Sequence, residues 1–164
     1  MSYISTNTIQ VVDVKEVSKP SFVKLLPRSG DSGLITGGDD PFLICLDGPN
    51  MGTAFSVGKL RSETALAVGD LDFEVDLTSG VNRSQKEVRV GCLRLTRDGV
   101  SIGSIVKTSY GFEELHYVRI DDSAASEDLG QKNDLDFTRW KIISTAGGER
   151  LELWSYEAFE YARD

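Results

Sequence analysis

Ser32, Asp31 and His116 are the side chains whose types suit nucleophilic chemistry. Ser32 and Asp31 lie in Gly30-Asp31-Ser32-Gly33, where small flanking residues can expose a hydroxyl beside backbone N–H donors. His116 is the single histidine, the side chain best suited to exchange a proton near neutral pH. Glu114 shares its strand face at two residues' distance, which makes an acid–base pair conceivable. A plainer reading competes with each: an ordinary glycine-rich turn for the serine, and a hydrogen-bonded structural residue for a lone histidine on a sheet. Ser32, Asp31 and His116 are therefore kept as candidates, and no catalytic set is assigned.

Over four residues, Gly30-Asp31-Ser32-Gly33 resembles the nucleophile turn of trypsin-like serine proteases. In that family the base histidine and its orienting aspartate precede the serine, whereas His116 follows it, and Leu34 and Ile35 stand where Gly and Pro are expected. Asp31-Ser32-Gly33 also resembles the aspartic-protease core but lacks the apolar run that leads into the aspartate. Neither likeness carries a residue role across.

Asp70, Asp72, Glu74 and Asp76 have the close oxygen spacing of a calcium loop, but Val75 occupies the place where such a loop needs glycine. With Leu71 and Phe73 between them, the carboxylates belong to an extended strand, about 6.8 Å apart along one face, which predicts a solvated or salt-bridged surface. Asp31, Asp39, Asp40 and Asp47 are the alternative cation cluster. Cys45 and Cys92 lie in apolar strand-like runs and are expected to be free thiols; with one histidine and no Cys-x-x-Cys they do not assemble a zinc site. There is no G-x-x-x-x-G-K-[ST] cradle and no G-x-G-x-x-G between a strand and a helix. The sequence predicts no metal and no cofactor.

Charge is distributed unevenly. Arg83, Lys86, Arg89, Arg94 and Arg97 cluster against Glu87 and Asp98, while residues 110–136 carry eight carboxylates against Arg119 and Lys132. Opposed patches of this kind steer one protein onto another, so the basic cluster is a candidate partner surface; pairing within the fold is the alternative. Trp154 and Tyr156, with Trp140, Phe159 and Tyr161, gather aromatic surface that could anchor a partner or cap a core. A net charge of -8 and a pI near 4.7 repel phosphate backbones, so no nucleic-acid partner is expected. The longest apolar run, 42–46, is far short of a bilayer span, and the first residues show no secretory leader. A cytoplasmic site, or a particle assembled inside cells, is the expectation.

The elements that must position these residues read as strands. Apolar side chains recur with period two or in short runs, punctuated by Gly, Asp, Asn and Ser. Strands are expected at 9–17, with a bulge between Val11 and Val12, and at 22–26, 42–46, 53–57, 71–77, 88–96, 100–107, 112–120, 137–144 and 149–154. Residues 42–46 are apolar on both faces, the mark of a central strand covered from both sides. The alternation at 71–77 suggests a hairpin with 88–96 that sets Val75 against Val90, Phe73 against Cys92 and Asp76 against Arg89. Asp98-Gly99 and 145–148 are hairpin turns. The glycine-rich stretch 28–40 reads as a mobile loop, 121–134 is too polar for core, and Ser155 could cap a helix at 156–162.

The chain is thus expected to be a single all-β domain, 1–164: an antiparallel β-sandwich or flattened β-barrel of about 9–11 strands with a short C-terminal helix. The expected function is a non-enzymatic binding or assembly module acting through protein partners or self-association, such as a phage or viral structural component or an adaptor. The alternatives are a small hydrolase using the loop 29–40 with His116, and a β-barrel that binds a small ligand with that loop as its lid.

Overall fold

The computed structural model describes residues 6, 8–26, 30–82, 88–108, 110–126 and 135–157. Period-two patterning over most of the chain gives fifteen strands among these residues: β1 (Gln10–Asp13), β2 (Ser21–Leu25), β3 (Ser32–Ile35), β4 (Phe42–Cys45), β5 (Thr53–Ser56), β6 (Thr64–Val68), β7 (Leu71–Val75), β8 (Gly80–Asn82), β9 (Leu93–Thr96), β10 (Gly99–Lys107), β11 (Glu113–Arg119), β12 (Ala125–Ser126), β13 (Leu135–Phe137), β14 (Arg139–Ser144) and β15 (Leu151–Glu157). The only helical elements among them are three-residue 3-10 turns.

Twelve strands form one sheet in the order β1-β6-β2-β3-β4-β5-β10-β9-β13-β8, with β11 on the other side of β10 and β12 beside β11. The remaining three form a second sheet, β15-β14-β7. Every pairing is antiparallel except the short parallel contact of β5 with β10. A sandwich or flattened barrel describes this architecture.

Two apolar cores share the middle of the large sheet. Phe22, Leu34 and Ile44 point into the first, whereas their chain neighbours Val23, Ile35 and Leu43 point into the second. Strands β2, β3 and β4 are therefore covered on both faces, as the run 42–46 predicts. The first core continues through Leu93, Ile102, Val118 and Phe137 and is closed by Trp140 and Ile142 of the small sheet. Removing a side chain from either core, as in Ile44→Ala, should cost about 2–5 kcal/mol.

Several sequence expectations change. The stretch 28–40, described from Gly30 on, is not a loop throughout: β3 occupies its centre, and Ser32, Leu34 and Ile35 are buried. Gly33, Gly37 and Gly38 serve close packing instead. A Cβ on Gly37 would lie 2.3 Å from the Asp121 carbonyl oxygen, while the Gly37 N–H donates to the Ile120 carbonyl at 2.8 Å. The strand expected at 88–96 begins only at Leu93, and β7 does not pair with it: β7 pairs with β14, setting Val75 opposite Trp140 and Phe73 opposite Ile142. Phe73 and Val75 face the first core and Asp72 faces water, as the alternation predicts, but the strand ends at Val75 and Leu77, expected on the same buried face, lies in a 3-10 turn and is 80% exposed. In place of a bulge at Val11 and Val12, β1 ends at Asp13, whose side chain accepts from the Lys15 N–H and caps a 3-10 turn. The C-terminal helix is not seen: Tyr156 and Glu157 belong to β15, and 158–162 lie outside the described residues.

The strand expected at 137–144 is two strands in different sheets. β13 and β8 pair in the large sheet, and β14 and β7 pair in the small one. Both strands of a single ribbon thus turn the same corner together. Asp76 caps the 3-10 turn Leu77–Ser79 there, and the Ser79 hydroxyl accepts from the Arg139 N–H at 3.1 Å. The other turns form at or next to the expected positions. The β9–β10 hairpin turns through Arg97-Asp98, one residue before the expected Asp98-Gly99, with Gly99 at φ 137° already paired with Thr96, and β14 joins β15 through 145–150.

Candidate functional site

Alternation along β9 sends Leu93 and Leu95 toward the first core and Arg94 to the opposite face. β13 does the same with Phe137 and Asp136, and the register places Asp136 directly opposite Arg94. The guanidinium binds the carboxylate through two nitrogens, Nε to Oδ1 at 2.7 Å and a terminal nitrogen to Oδ2 at 3.1 Å. The two residues are 2% and 1% exposed. Tyr117 of β11 donates its hydroxyl hydrogen to Asp136 Oδ2 at 3.1 Å, and its ring lies 3.5 Å beneath the Arg94 guanidinium carbon.

Residues 88–92 lie over this face and are tied to it. The Arg89 N–H donates to the Tyr117 hydroxyl at 3.2 Å, Gly91 N–H donates to the Gly103 carbonyl at 2.8 Å, and Gly103 N–H donates to the Cys92 carbonyl at 3.0 Å. A Cβ on Gly103 would fall 1.9 Å from the Arg89 carbonyl oxygen, so only glycine permits the approach. Burial pushes the Tyr117 phenol well above its ordinary value. A buried Arg–Asp–Tyr set with these partners holds a segment in place; it offers a reactant no route in.

Cys92 and Cys45 are free thiols. Burial pushes each up to about 11, helped at Cys92 by Asp136 and at Cys45 by Asp31 and Asp47. Thiols so protonated are poor nucleophiles at neutral pH.

The hydrolase candidates are not brought together. Ser32 is buried in β3, its N–H donating to Asp47 Oδ1 at 2.6 Å, and the Asp31 carboxylate lies against Gly48. His116 lies on β11, which is not a sheet neighbour of β3. Its expected pairing with Glu114 is present, Nε2 to Oε2 at 2.9 Å. The segment proposed as a ligand lid is a central strand, and the side chains facing it fill the two cores.

Of the basic cluster, Arg94 is interior and paired with Asp136, and so cannot belong to a partner surface. Arg89 is half-buried and Arg97 exposed. Arg83 and Lys86 lie outside the described residues. Trp154 and Tyr156 turn inward from β15 against Trp140, with ring centroids at 5.2 and 6.0 Å, and cap the first core while remaining half-buried. Trp140 donates its indole N–H to the Gly91 carbonyl at 2.9 Å, joining this cap to residues 88–92. Phe159 and Tyr161 lie outside the described residues.

The small sheet carries a groove of about 280 Å³ lined by Glu74, Val75, Asp76, Arg139, Trp140, Lys141, Ser155, Tyr156 and Glu157. Its charges are matched: Arg139 with Asp76 at 2.9 Å and Glu157 at 3.8 Å, Lys141 with Glu152 at 3.4 Å, and Arg150 with Glu74. This is the salt-bridged surface predicted for the carboxylates of 71–77. Among the described residues, no three His, Cys, Asp or Glu side chains are grouped to hold a metal ion.

One further feature escaped sequence reading. At the β10–β11 hairpin, Tyr110 is 88% and Phe112 70% exposed, and Glu113, Glu114 and Leu115 are exposed as well. Three consecutive exposed strand residues mean that both faces of β11 meet water here, so the hairpin projects from the sheet. The signal in the sequence is the adjacent pair Glu113-Glu114, which breaks the alternation between Phe112 and Leu115.

Fold and site together define a two-sheet β protein in which a buried Arg–Asp–Tyr clamp secures one covering segment and a single aromatic hairpin stands clear. The family model described as "Uncharacterised protein y4lG" matches residues 11–163, and the chain belongs to that family. No curated protein and no solved structure matches it. No helix among the described residues is long and apolar enough to cross a membrane.

Proposed function

We propose that this chain is a non-enzymatic binding or assembly module that works through protein–protein contacts. The observation that carries the reading is the projecting hairpin with Tyr110 and Phe112 in water. Large aromatic side chains are where binding energy concentrates in protein interfaces, and these two stand largely in water. The remaining chemistry points the same way: the buried ionic set is engaged in holding residues 88–92, Ser32 is buried on a strand that does not pair with that of His116, and burial pushes both thiols up to about 11. The role is that of an adaptor or a structural component of a larger assembly.

Two measurements test it: sedimentation velocity of the purified chain over a wide concentration range at low salt, and quantitative affinity purification of the tagged full chain from its host after reversible cross-linking. A specific assembly or a stoichiometric partner is expected. Recovery of a lone monomer in both overturns the reading.

A further inference from the structure

Resting on that reading, we infer that the β10–β11 hairpin is the docking anchor and that its occupant is a different protein presenting an apolar cleft with a basic rim. Tyr110, Phe112 and Leu115 fall within six positions of one turn, whereas the other strongly exposed apolar residues, such as Val11 and Leu77, stand singly in separate elements. Scattered exposure is ordinary; a cluster of rings on one projection is a contact surface.

The turn is also built to present those rings. Thr108 N–H donates to the Phe112 carbonyl at 2.8 Å, Gly111 N–H donates to the Thr108 carbonyl at 3.1 Å, and Phe112 N–H donates to the Thr108 hydroxyl at 3.2 Å. A tip ordered before contact loses less entropy on binding, and aromatic side chains have few rotatable bonds to freeze.

Charge selects the occupant. Glu113 and Glu114 flank the rings in solvent, and Lys107, exposed and opposite Glu113 in the register, holds its ammonium 5.5 Å from the Phe55 ring. The rim of the anchor thus carries two carboxylates against one cation, on a chain whose net charge is -8. A second copy approaching hairpin to hairpin would set Glu113 and Glu114 against like charges; a basic rim meets complementary ones. His116, beside Glu114, lies at the base of the projection and leaves Glu113 at its forward edge.

A photo-cross-linking phenylalanine analogue placed in the full chain at Tyr110 or Phe112, and as controls at Val11 or Leu77, tests this in the native host. The expected result is an adduct from 110 and 112 to one other protein, through a peptide of net positive charge. Adduct yield should fall about tenfold or more in a Glu113→Lys, Glu114→Lys double variant whose circular dichroism is unchanged. Adducts from Val11 or Leu77 alone overturn the hairpin assignment and leave the binding reading standing. Adducts from 110 and 112 to a second copy, to lipid, to nucleic acid or to an acidic surface overturn the partner chemistry, as does a yield insensitive to the charge reversal. Absence of adducts at all four positions overturns both the assignment and the reading beneath it.

Discussion

The chain contains a bidentate arginine–aspartate pair twice, in opposite surroundings. Arg94 and Asp136 meet across neighbouring strands, 42 positions apart, with almost no exposure. Arg119 and Asp122 meet within one turn, Nε to Oδ1 at 2.8 Å, with the carboxylate half in water. The contact geometry is nearly the same, so the difference in worth comes from solvent. Water screens the surface pair and accepts either charge if its partner is lost. The interior pair is shut off from that exchange, so removing one member costs more.

That contrast can be broken experimentally, beginning with the largest effect. Asp136→Leu alone should lower stability by about 3–5 kcal/mol in urea titration, because it removes the carboxylate that binds the buried Arg94 guanidinium through two nitrogens. The combined Arg94→Met, Asp136→Leu, Tyr117→Phe variant should recover most of that loss. If the single variant costs as little as a surface substitution, the interior pair is not dry. Gly103→Ala comes next, at about 1–3 kcal/mol, since its methyl group meets the Arg89 backbone and must push residues 88–92 off the clamp. Loss of protection at the Arg89 and Gly91 amides in hydrogen exchange would locate the damage.

A smaller and pH-dependent effect belongs to Tyr117. Its folded pKa is raised by burial above the ordinary 10.0, so the unfolded phenol ionises first. Stability is therefore complete below pH 10 and falls as pH rises beyond it, and ultraviolet titration should show one of the five tyrosines ionising only as the protein unfolds. The surface pair should matter least. The Arg119 guanidinium beside Asp122 holds its carboxyl below the ordinary 3.8, so the pair's contribution is present above that value and disappears as pH falls through the folded pKa. Asp122→Asn should leave the urea midpoint at neutral pH barely distinguishable from wild type, and salt should erase what remains.

The same contrast marks what the sequence reveals. Which face a strand buries is local information: the doubly apolar run Leu43-Ile44 and the alternation Phe73, Val75 against Asp72, Glu74 are legible because burial writes a period into neighbouring positions. Which strand lies alongside is not local. Val75 satisfies its surroundings as well against Trp140 as against Val90, so the proposed register was self-consistent and still misassigned. Glycine misled at β3 because loop flexibility and tight backbone packing leave the same residue behind, and only the neighbour at Gly37 distinguishes them. At the clamp, Arg94 between Leu93 and Leu95 and Asp136 between Leu135 and Phe137 each look like one charged residue on a strand's outer face. Their meaning appears only when the register joins them and residues 88–92 settle on top.

The ribbon that turns from the small sheet into the large one has a mechanical corollary. β7 is joined to the large sheet at both ends, to β6 through 69–70 and to β8 through 76–79, and β14 follows directly on β13, so three short connections among the described residues stitch the two layers. Neither layer can be peeled away without tearing hydrogen bonds in its neighbour. Force applied across the sandwich should therefore produce one rupture event, and protease should release no stable half.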